Sequence, residues 1–416
     1  MKHDVERMNV FLIMKRRRLL QIFFFFCFFT VAFGQRKEIS QARQWIKHGN
    51  NLEQAENTMR GLLKDSVNRT NERIWLTLFD AVKRQYEQGN ERLYLKQQYD
   101  TARLFTLARK MFDVLIHFDS IDAAPNCKGV IRPKYRDGHA QFLDQYRPNL
   151  FNGGTYFLHK QKYAEAYDLY DVYIGCADQP LFKKYDYEHT DRLMPEAAYW
   201  AAFCAYKQQR YDATLKHTPL ALKDTTHYVY MLQYLADTYK AKKDTVRYLQ
   251  TLREGFTTYP AFPFFFPRLV DYYVEHKNFD AAQEIIDRAL TVDSTNHIYL
   301  FAKSTVLLNT GKYEECIVIC DRLIACNDSM PEAYLNAGLA YFNQAVLLDK
   351  EMQISKQRRQ QILDFYRKAK PYLERYRQLA PDMKQKWGVP LYTIYLNLNM
   401  GKEFDEIDKI IDIEKK

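Results

Sequence analysis

Apolar side chains recur every three to four positions through most of the chain beyond residue 35, which is the period of an amphipathic helix. In residues 279–290, for example, Phe279, Ala282 and Ala289 fall at helical spacing. The 416 residues include only 14 glycines and 13 prolines, so few tight turns are available for a sheet-rich protein. The pattern therefore predicts an all-α protein with almost no strand.

The same helical period continues through residues 35–146, which are predicted to form an amino-terminal helical region. Apolar residues predict a third helix around 74–82 and a long fourth helix over 95–118. The spacing of five others predicts a first helix pair: Trp45, Leu52, Ala55, Met59 and Leu62. Segment 119–138 carries Pro and Gly at four positions and is predicted to be a loop. Two interpretations of that loop stay open, a functional loop and a simple crossover between helical halves.

A 34-residue period governs the part of the chain that follows. Counting from Pro195, the repeat begins at residues 195, 229, 263, 297 and 331. The eighth position holds residues that let two helices approach closely: Ala202, Ala236, Val270, Ser304 and Gly338. The seventeenth position, where a second helix is expected to start, holds Tyr211, Thr245, Phe279 and Tyr313.

These columns resemble the tetratricopeptide repeat (TPR) family, whose unit is two antiparallel helices with small residues at positions 8 and 20 and aromatics near 11, 17 and 24. A further unit fits from Arg147, with Gly154 at position 8. The resemblance implies an α-solenoid over residues 147–416, with insertions near 177–194 and 346–361 and a closing helix pair. Residues 35–146 are interpreted as degenerate units of the same kind.

The amino terminus has the pattern of a secretory signal peptide. Four basic residues at 15–18 precede an apolar run over 19–33, and small residues at Ala32 and Gly34 predict cleavage before Gln35. The run is shorter than the roughly 20 residues that span a bilayer as a helix, so an uncleaved anchor is the weaker alternative. Residues 1–34 are thus assigned to the signal, and the protein is expected to be exported, most simply to a Gram-negative periplasm.

Asp-Ser/Thr-aliphatic triplets recur in the chain and resemble the O-glycosylation sequon of exported Bacteroidota proteins. They lie at residues 65–67, 100–102, 119–121, 244–246 and 328–330. Asp and Ser/Thr are also common helix caps. Both interpretations stay open.

The sequence contains no pattern typical of catalysis or of cofactor binding. It has no glycine-rich phosphate loop, no His-Glu-x-x-His pair and no Gly-x-Ser-x-Gly elbow. We therefore expect no catalytic residues, no cofactor and no metal. Six cysteines follow the predicted signal, and Cys316 and Cys320 share one helix face, which favours buried free thiols over a metal site. Disulfides at Cys127, Cys176 or Cys204 remain an alternative.

The TPR resemblance also implies a concave groove lined by the first helix of each unit. The residues that fall on this lining are mainly aromatic and apolar: Tyr199, Phe203, Tyr206, Tyr230, Phe264, Phe301, Leu335 and Phe342. The basic clamp with which some family members hold an acidic carboxyl terminus is absent, so an apolar or aromatic segment is the expected ligand. Alternatively, the same residues are core.

The distribution of charged residues limits the classes of partner that the protein is expected to bind. Without residues 1–34 the chain has 55 basic and 49 acidic residues of mixed distribution, which is not the pattern of a nucleic-acid-binding protein. The sequence thus predicts a non-enzymatic scaffold that binds proteins of the cell envelope, with peripheral membrane association left open. The alternative is an accessory protein that captures glycans or nutrients, because exposed Tyr and Trp side chains stack on sugars.

Overall fold

In a computed structural model, the chain is described over residues 35–125, 128–350 and 355–414. The predicted signal peptide and Cys127 lie outside these ranges. The described residues form helices and turns without a β-strand, so the predicted all-α class is confirmed. The chain forms two compact units, and the boundary between them lies between residues 234 and 235.

The first unit begins with long helices and ends with short ones. The helices are α1 (35–48), α2 (Leu52–Leu62), α3 (Glu72–Tyr94), α4 (Thr101–Asp122), α5 (Arg136–His159), α6 (Tyr163–Gly175), α7 (Tyr187–Thr190), α8 (Met194–Lys207), α9 (Tyr211–Lys216) and α10 (Thr218–Ala221). Helix α11 (Tyr228–Ala241) contains the division between the units. Short 3₁₀ turns at Ser66–Thr70, Cys176–Asp178 and Pro180–Tyr185 complete this part of the chain.

The second unit continues as regular helix pairs. They are α12 (Thr245–Thr258), α13 (Phe265–Glu275), α14 (Phe279–Val292), α15 (His297–Asn309), α16 (Tyr313–Cys326), α17 (Pro331–Asp349), α18 (Lys356–Leu379), α19 (Lys384–Asn397) and α20 (Gly401–Glu414). Each helix packs against the next one along the chain, and α15 also contacts α17. Helix α17 likewise contacts α19, so the first helices α15, α17 and α19 lie side by side, as in a TPR array.

Two of the predicted boundaries differ from the structure. The fourth helix begins at Thr101 and not at Leu95, because Lys96 has a φ of 57° and the Asp100 carboxylate accepts a hydrogen bond from the Ala102 amide. The loop predicted over 119–138 is shorter, since α4 continues to Asp122 and α5 begins at Arg136.

The two insertions near 177–194 and 346–361 take different forms. The first folds as 3₁₀ turns followed by the short helix α7. The second lengthens both helices of one pair, so that α17 has 19 residues and α18 has 24. Residues 351–354, at the tip of this pair, lie outside the described ranges.

Six links between the two helices of a pair share one backbone conformation. Each link has three residues, and the middle residue has a positive φ between 55° and 77°: Gln161, Gln209, Lys243, Lys277, Gly311 and Asn399. The amide of the third residue donates to a carbonyl five positions earlier, as from Asp244 to Tyr239 and from Asn278 to Tyr273. This is the Schellman motif, which satisfies the last carbonyls of the first helix.

Position 8 of the repeat lies at the contact between the two helices of a pair. A Cβ atom on Gly154 would lie 2.7 Å from the ring of Tyr170, and one on Gly338 would lie 2.7 Å from Leu373 Cγ. Because the Tyr170 ring is fully buried, it has no open space into which it can move. Glycine at position 8 therefore permits the helix contact.

Gly154→Ala is expected to lower the free energy of unfolding by about 1–2 kcal/mol, because overpacking against Tyr170 exceeds the gain in helix propensity. Gly138→Ala is the matched control in the same helix, since a Cβ there would meet nothing within 4 Å. It is expected to be neutral or to stabilise by up to about 1 kcal/mol. Urea unfolding of both variants tests the repeat register, and equal effects would contradict it.

Candidate functional site

The eight residues predicted to line the groove differ in exposure. Tyr199, Phe264 and Leu335 are buried, at 3%, 7% and 8% exposure. Phe203, Tyr206, Phe301 and Phe342 are partly buried, and Tyr230 is exposed at 44%. Half of these residues lie in the first unit, on α8 and at the start of α11. In the second unit, Phe264 immediately precedes α13, Phe301 lies on α15, and Leu335 and Phe342 lie on α17.

The four members in the second unit contribute to helix packing. Leu335 lies in the core of α17, α18 and α19, and the Phe342 ring packs 5.9 Å from that of Tyr366. Phe301 packs at the edge of a small cluster between α15 and α16. The Arg268 guanidinium lies 3.7 Å from the centre of the Phe264 ring. In the second unit, most of the residues predicted to line the groove are therefore explained by the alternative interpretation that they are core.

In the first unit the aromatic side chains form one continuous group, called here the aromatic cluster. Its members are Tyr199, Trp200, Phe203, Tyr206, His227 and Tyr234. Ring centres are 4.3 Å apart for Tyr199 and His227, which are stacked, and 4.5 Å apart for Tyr206 and Tyr234. Such pairs contribute roughly 0.5–1.5 kcal/mol each beyond the area they bury.

The aromatic cluster has a buried base and a partly exposed rim. At the base, the Tyr199 and Tyr234 hydroxyls lie 3.3 Å apart. Burial raises the pKa of both phenols, so they remain neutral. On the rim, Trp200, Phe203 and Tyr206 stay partly accessible, and the Trp200 indole donates to Glu196. The rim is an aromatic surface that is already fixed in place by the rings beneath it.

A second aromatic centre, around Arg147, was not predicted from the sequence. The Arg147 guanidinium lies 3.8 Å from the ring centres of both Tyr173 and Tyr187 and is 7% exposed. It donates to Asp191 at 2.5 Å and to the Tyr173 carbonyl at 3.2 Å. We call this group the arginine clamp. Asp191 and Tyr187 belong to the insertion, so the clamp fixes residues 177–194 to α5 and α6.

The clamp's ionisable groups are held in one charge state. Burial works against ionisation of Asp191, but hydrogen bonds from Tyr173 and Arg147 outweigh it and lower the pKa of the carboxyl. Burial raises the pKa of the neighbouring Cys176 thiol to about 12. The arrangement has the geometry of a structural ion pair, with every strong acceptor occupied by the protein itself.

Asp171 on α6 forms a second ion pair with the end of α9. Its Oδ1 accepts from Lys216 Nζ and from His217 Nε2, both at 2.6 Å. Burial would raise the pKa of Asp171, but these two hydrogen bonds lower it to about 2.

Asp171→Asn is expected to lower the free energy of unfolding by about 2 kcal/mol at pH 7, since a pKa unit corresponds to about 1.4 kcal/mol. Because the folded pKa is below the unfolded value of 3.8, this stabilisation is complete above that value and is lost as the pH falls to about 2. Unfolding by urea at pH 7, 4, 3 and 2 measures the difference. The more exposed Asp168 serves as control, and a constant difference at all four pH values would contradict the prediction.

The described cysteines are free thiols. Cys176, Cys204, Cys316 and Cys320 are buried, and Cys326 is exposed. The sulfurs of Cys316 and Cys320 lie 4.0 Å apart within the core of α15, α16 and α17. In the described ranges no group of three His, Cys, Asp or Glu side chains is placed to hold a metal ion.

Most of the Asp-Ser/Thr triplets have a structural role at their aspartate. Asp65, Asp100 and Asp244 cap helices by accepting a backbone amide hydrogen bond. Asp119 forms two 2.8 Å hydrogen bonds with Arg136. The helix-cap interpretation thus explains three of the five triplets, and their glycosylation stays a prediction.

None of the described helices is long and apolar enough to cross a membrane. No protein-family model and no curated protein matches the chain.

Solved structures similar to this chain include TPR proteins from Bacteroidota. The C-terminal part of a TPR repeat-containing protein from Cytophaga hutchinsonii is 14% identical, with 62% of this chain and 93% of that chain covered and a TM-score of 0.43. A tetratricopeptide repeat protein from Parabacteroides merdae is 14% identical, with coverages of 65% and 100% and a TM-score of 0.36. A TPR repeats protein from Bacteroides fragilis is 16% identical, with 64% of this chain and 98% of that chain covered and a TM-score of 0.31.

The chain's own helix pairs carry the assignment of the fold. Among the described residues, four second helices begin 34 residues apart, at residues 211, 245, 279 and 313, and six pairs share the same three-residue link. In two pairs, the glycine at position 8, Gly154 or Gly338, lies against a side chain of the second helix. The chain thus has the all-α fold of a TPR protein.

Proposed function

We propose that the chain is an exported, non-enzymatic scaffold that binds a protein segment of the cell envelope through the rim of the aromatic cluster. One observation supports the proposal: Trp200, Phe203 and Tyr206 form a partly exposed aromatic surface on α8, a first helix of the kind that the TPR resemblance places along the groove. Aromatic residues of this kind dominate the energetics of protein interfaces.

The exposure of the rim also defines the expected ligand. Its rings are apolar on their faces, and the Lys207 ammonium lies 5.4 Å from the Phe203 ring centre. A short apolar or aromatic segment that buries two or three of these rings is therefore the expected partner. Because the rings are pre-organised by Tyr199 and Tyr234, binding costs little side-chain entropy.

Site-specific photo-crosslinking tests the proposal. A photo-reactive amino acid at position 230, beside the rim, is expected to form adducts with envelope proteins in intact cells. The same group at position 94 is the control, because Tyr94 is 86% exposed and lies at the end of α3. Adducts at 230 are expected to disappear in a Phe203→Ala background, and equal adducts at both positions would contradict the proposal.

Export is tested separately. Amino-terminal sequencing of the protein from its host is expected to begin at Gln35, and cell fractionation is expected to find it outside the cytoplasm. An intact amino terminus together with a cytoplasmic location would contradict export while leaving the scaffold function open.

A further inference from the structure

A polar cleft of about 540 Å³ opens in the first unit, away from the aromatic cluster. Its walls come from the link between α1 and α2, from α2 and α3, and from the segment around Tyr99 that leads into α4. A smaller cavity of about 230 Å³ shares part of its lining. The larger volume lies within the range of roughly 300–1,000 Å³ that is usual for small-molecule sites.

The carboxylates of the cleft and of the adjoining cavity are already paired within the protein. Glu53 pairs with Arg103. The buried Glu56 accepts hydrogen bonds from Lys110, Arg60 and Gln85, each at 2.9 Å. Neither carboxylate is therefore free to bind a cationic ligand.

The cleft also carries amide side chains with unused hydrogen-bonding capacity. Asn51, Gln54 and Asn57 are exposed along its α2 wall, and their side chains have no hydrogen-bond partner within the described ranges. Arg92 on α3 likewise makes no ion pair there. An amide offers both donors and acceptors. Several amides together suit a neutral ligand with many hydroxyl groups, because each hydroxyl also donates and accepts.

An aromatic ring is built into the same cleft. Tyr99 lies against α3 at Gly89, where an added Cβ would lie 2.5 Å from the ring. Glycine inside a helix costs about 1 kcal/mol relative to alanine, and here it makes room for the ring. Tyr99 remains partly accessible and lines the cleft beside the amides. An apolar ring beside convergent amides suits a sugar, which has an apolar C–H face and a polar hydroxyl edge.

The link between α1 and α2 is held against α3 at one wall of the cleft. Gly49 has a φ of 66°, and its carbonyl accepts a 2.8 Å hydrogen bond from Gln88 Nε2. A Cβ at Gly49 would lie 2.7 Å from that nitrogen. The contact joins the link to α3 and fixes the distance across which a ligand binds.

We propose that the polar cleft binds a neutral saccharide, independently of the protein partner at the aromatic cluster. The amides of Asn51, Gln54 and Asn57 hydrogen-bond its hydroxyl groups, Arg92 donates to a pair of neighbouring oxygens, and Tyr99 packs against a sugar face. The ligand is recognised by hydroxyl number and ring stacking and not by charge.

Binding of neutral tetrasaccharides to the full chain, purified as its host produces it, tests the proposal. Maltotetraose, chitotetraose and mannotetraose are titrated by calorimetry, and at least one is expected to bind saturably. Gln54→Ala and Asn57→Ala are each expected to weaken that binding about fivefold, which corresponds to one net hydrogen bond. Tyr99→Ala is expected to weaken it about tenfold or more.

Gln141→Ala is the matched control, since Gln141 is an exposed amide on α5 with no side-chain partner in the described chain. It is expected to bind like the wild type. The Gln54 and Asn57 variants are expected to keep the wild-type melting temperature, because both side chains are exposed. Saturable binding that these variants leave unchanged would overturn the proposal, as would no binding of any of the three sugars at 10 mM. Crosslinking at position 230 is expected to be unaffected in either case, so failure of the cleft is distinguishable from failure of the scaffold function.

Discussion

Arg147→Met is expected to lower the free energy of unfolding by about 3–5 kcal/mol, the usual cost of removing one partner from a buried ion pair. Methionine fills much of the same space, but it leaves Asp191 buried without its guanidinium partner. Two tyrosine rings also lose the cation between them. Urea unfolding followed by circular dichroism measures the loss.

Two further variants separate the ion pair from simple packing. Arg147→Met combined with Asp191→Asn is expected to recover part of the stability, because the uncompensated carboxylate is removed. Arg210→Met is the control: Arg210 is exposed, with its guanidinium 4.7 Å from the Tyr167 ring centre, and its loss is expected to cost under about 1 kcal/mol. Equal effects at residues 147 and 210 would show that the clamp is not a stability centre.

Tyr199→Ala and Tyr230→Ala are expected to have opposite consequences for stability and binding. Tyr199 is buried, stacks on His227 and contacts Tyr234, so its truncation is expected to cost about 3–5 kcal/mol of folding stability. Tyr230 is exposed, so its truncation is expected to leave the melting temperature unchanged while reducing partner capture. Thermal unfolding beside capture of the crosslinked partner measures both.

Phe203→Ala provides the intermediate case. Its ring is partly exposed and contacts both Trp200 and Tyr234. Truncation is therefore expected to lower folding stability less than Tyr199→Ala does, and to reduce partner capture more than Tyr230→Ala does. If all three variants lose stability and none loses partner capture independently, the cluster is core and the proposed binding surface is wrong.

The 34-residue period predicted the second helices closely. Tyr211, Thr245, Phe279 and Tyr313 stand at position 17, and each is the first residue of a helix. The prediction is accurate because neighbouring units pack their two helices through small residues at equivalent repeat positions. The lengthened pair α17 and α18 escaped the prediction, since an insertion with helical composition gives no sign of a loop or of its absence.

The arginine clamp and the polar cleft could not be predicted from the sequence. Asp191 lies 44 residues after Arg147, and both Asp191 and Tyr187 belong to an insertion that the repeat does not describe. Likewise, Tyr99 meets Gly89 only because a left-handed residue at Lys96 turns the chain back. Contacts of this kind depend on where irregular segments fold, and periodicity carries no information about that. Tyr199 was predicted to line the groove, and its burial likewise depends on contacts that the periodicity does not describe.

The three-residue links described above set the rotational phase of each helix pair. One extra residue in such a link would turn the following helix by about 100° around its axis, and its small positions would no longer face those of the first helix. Both insertions accordingly lie outside these six links: one between successive pairs, after α6, and one between α17 and α18. A chain built in this way changes length only between pairs, or by extending both helices of a pair together.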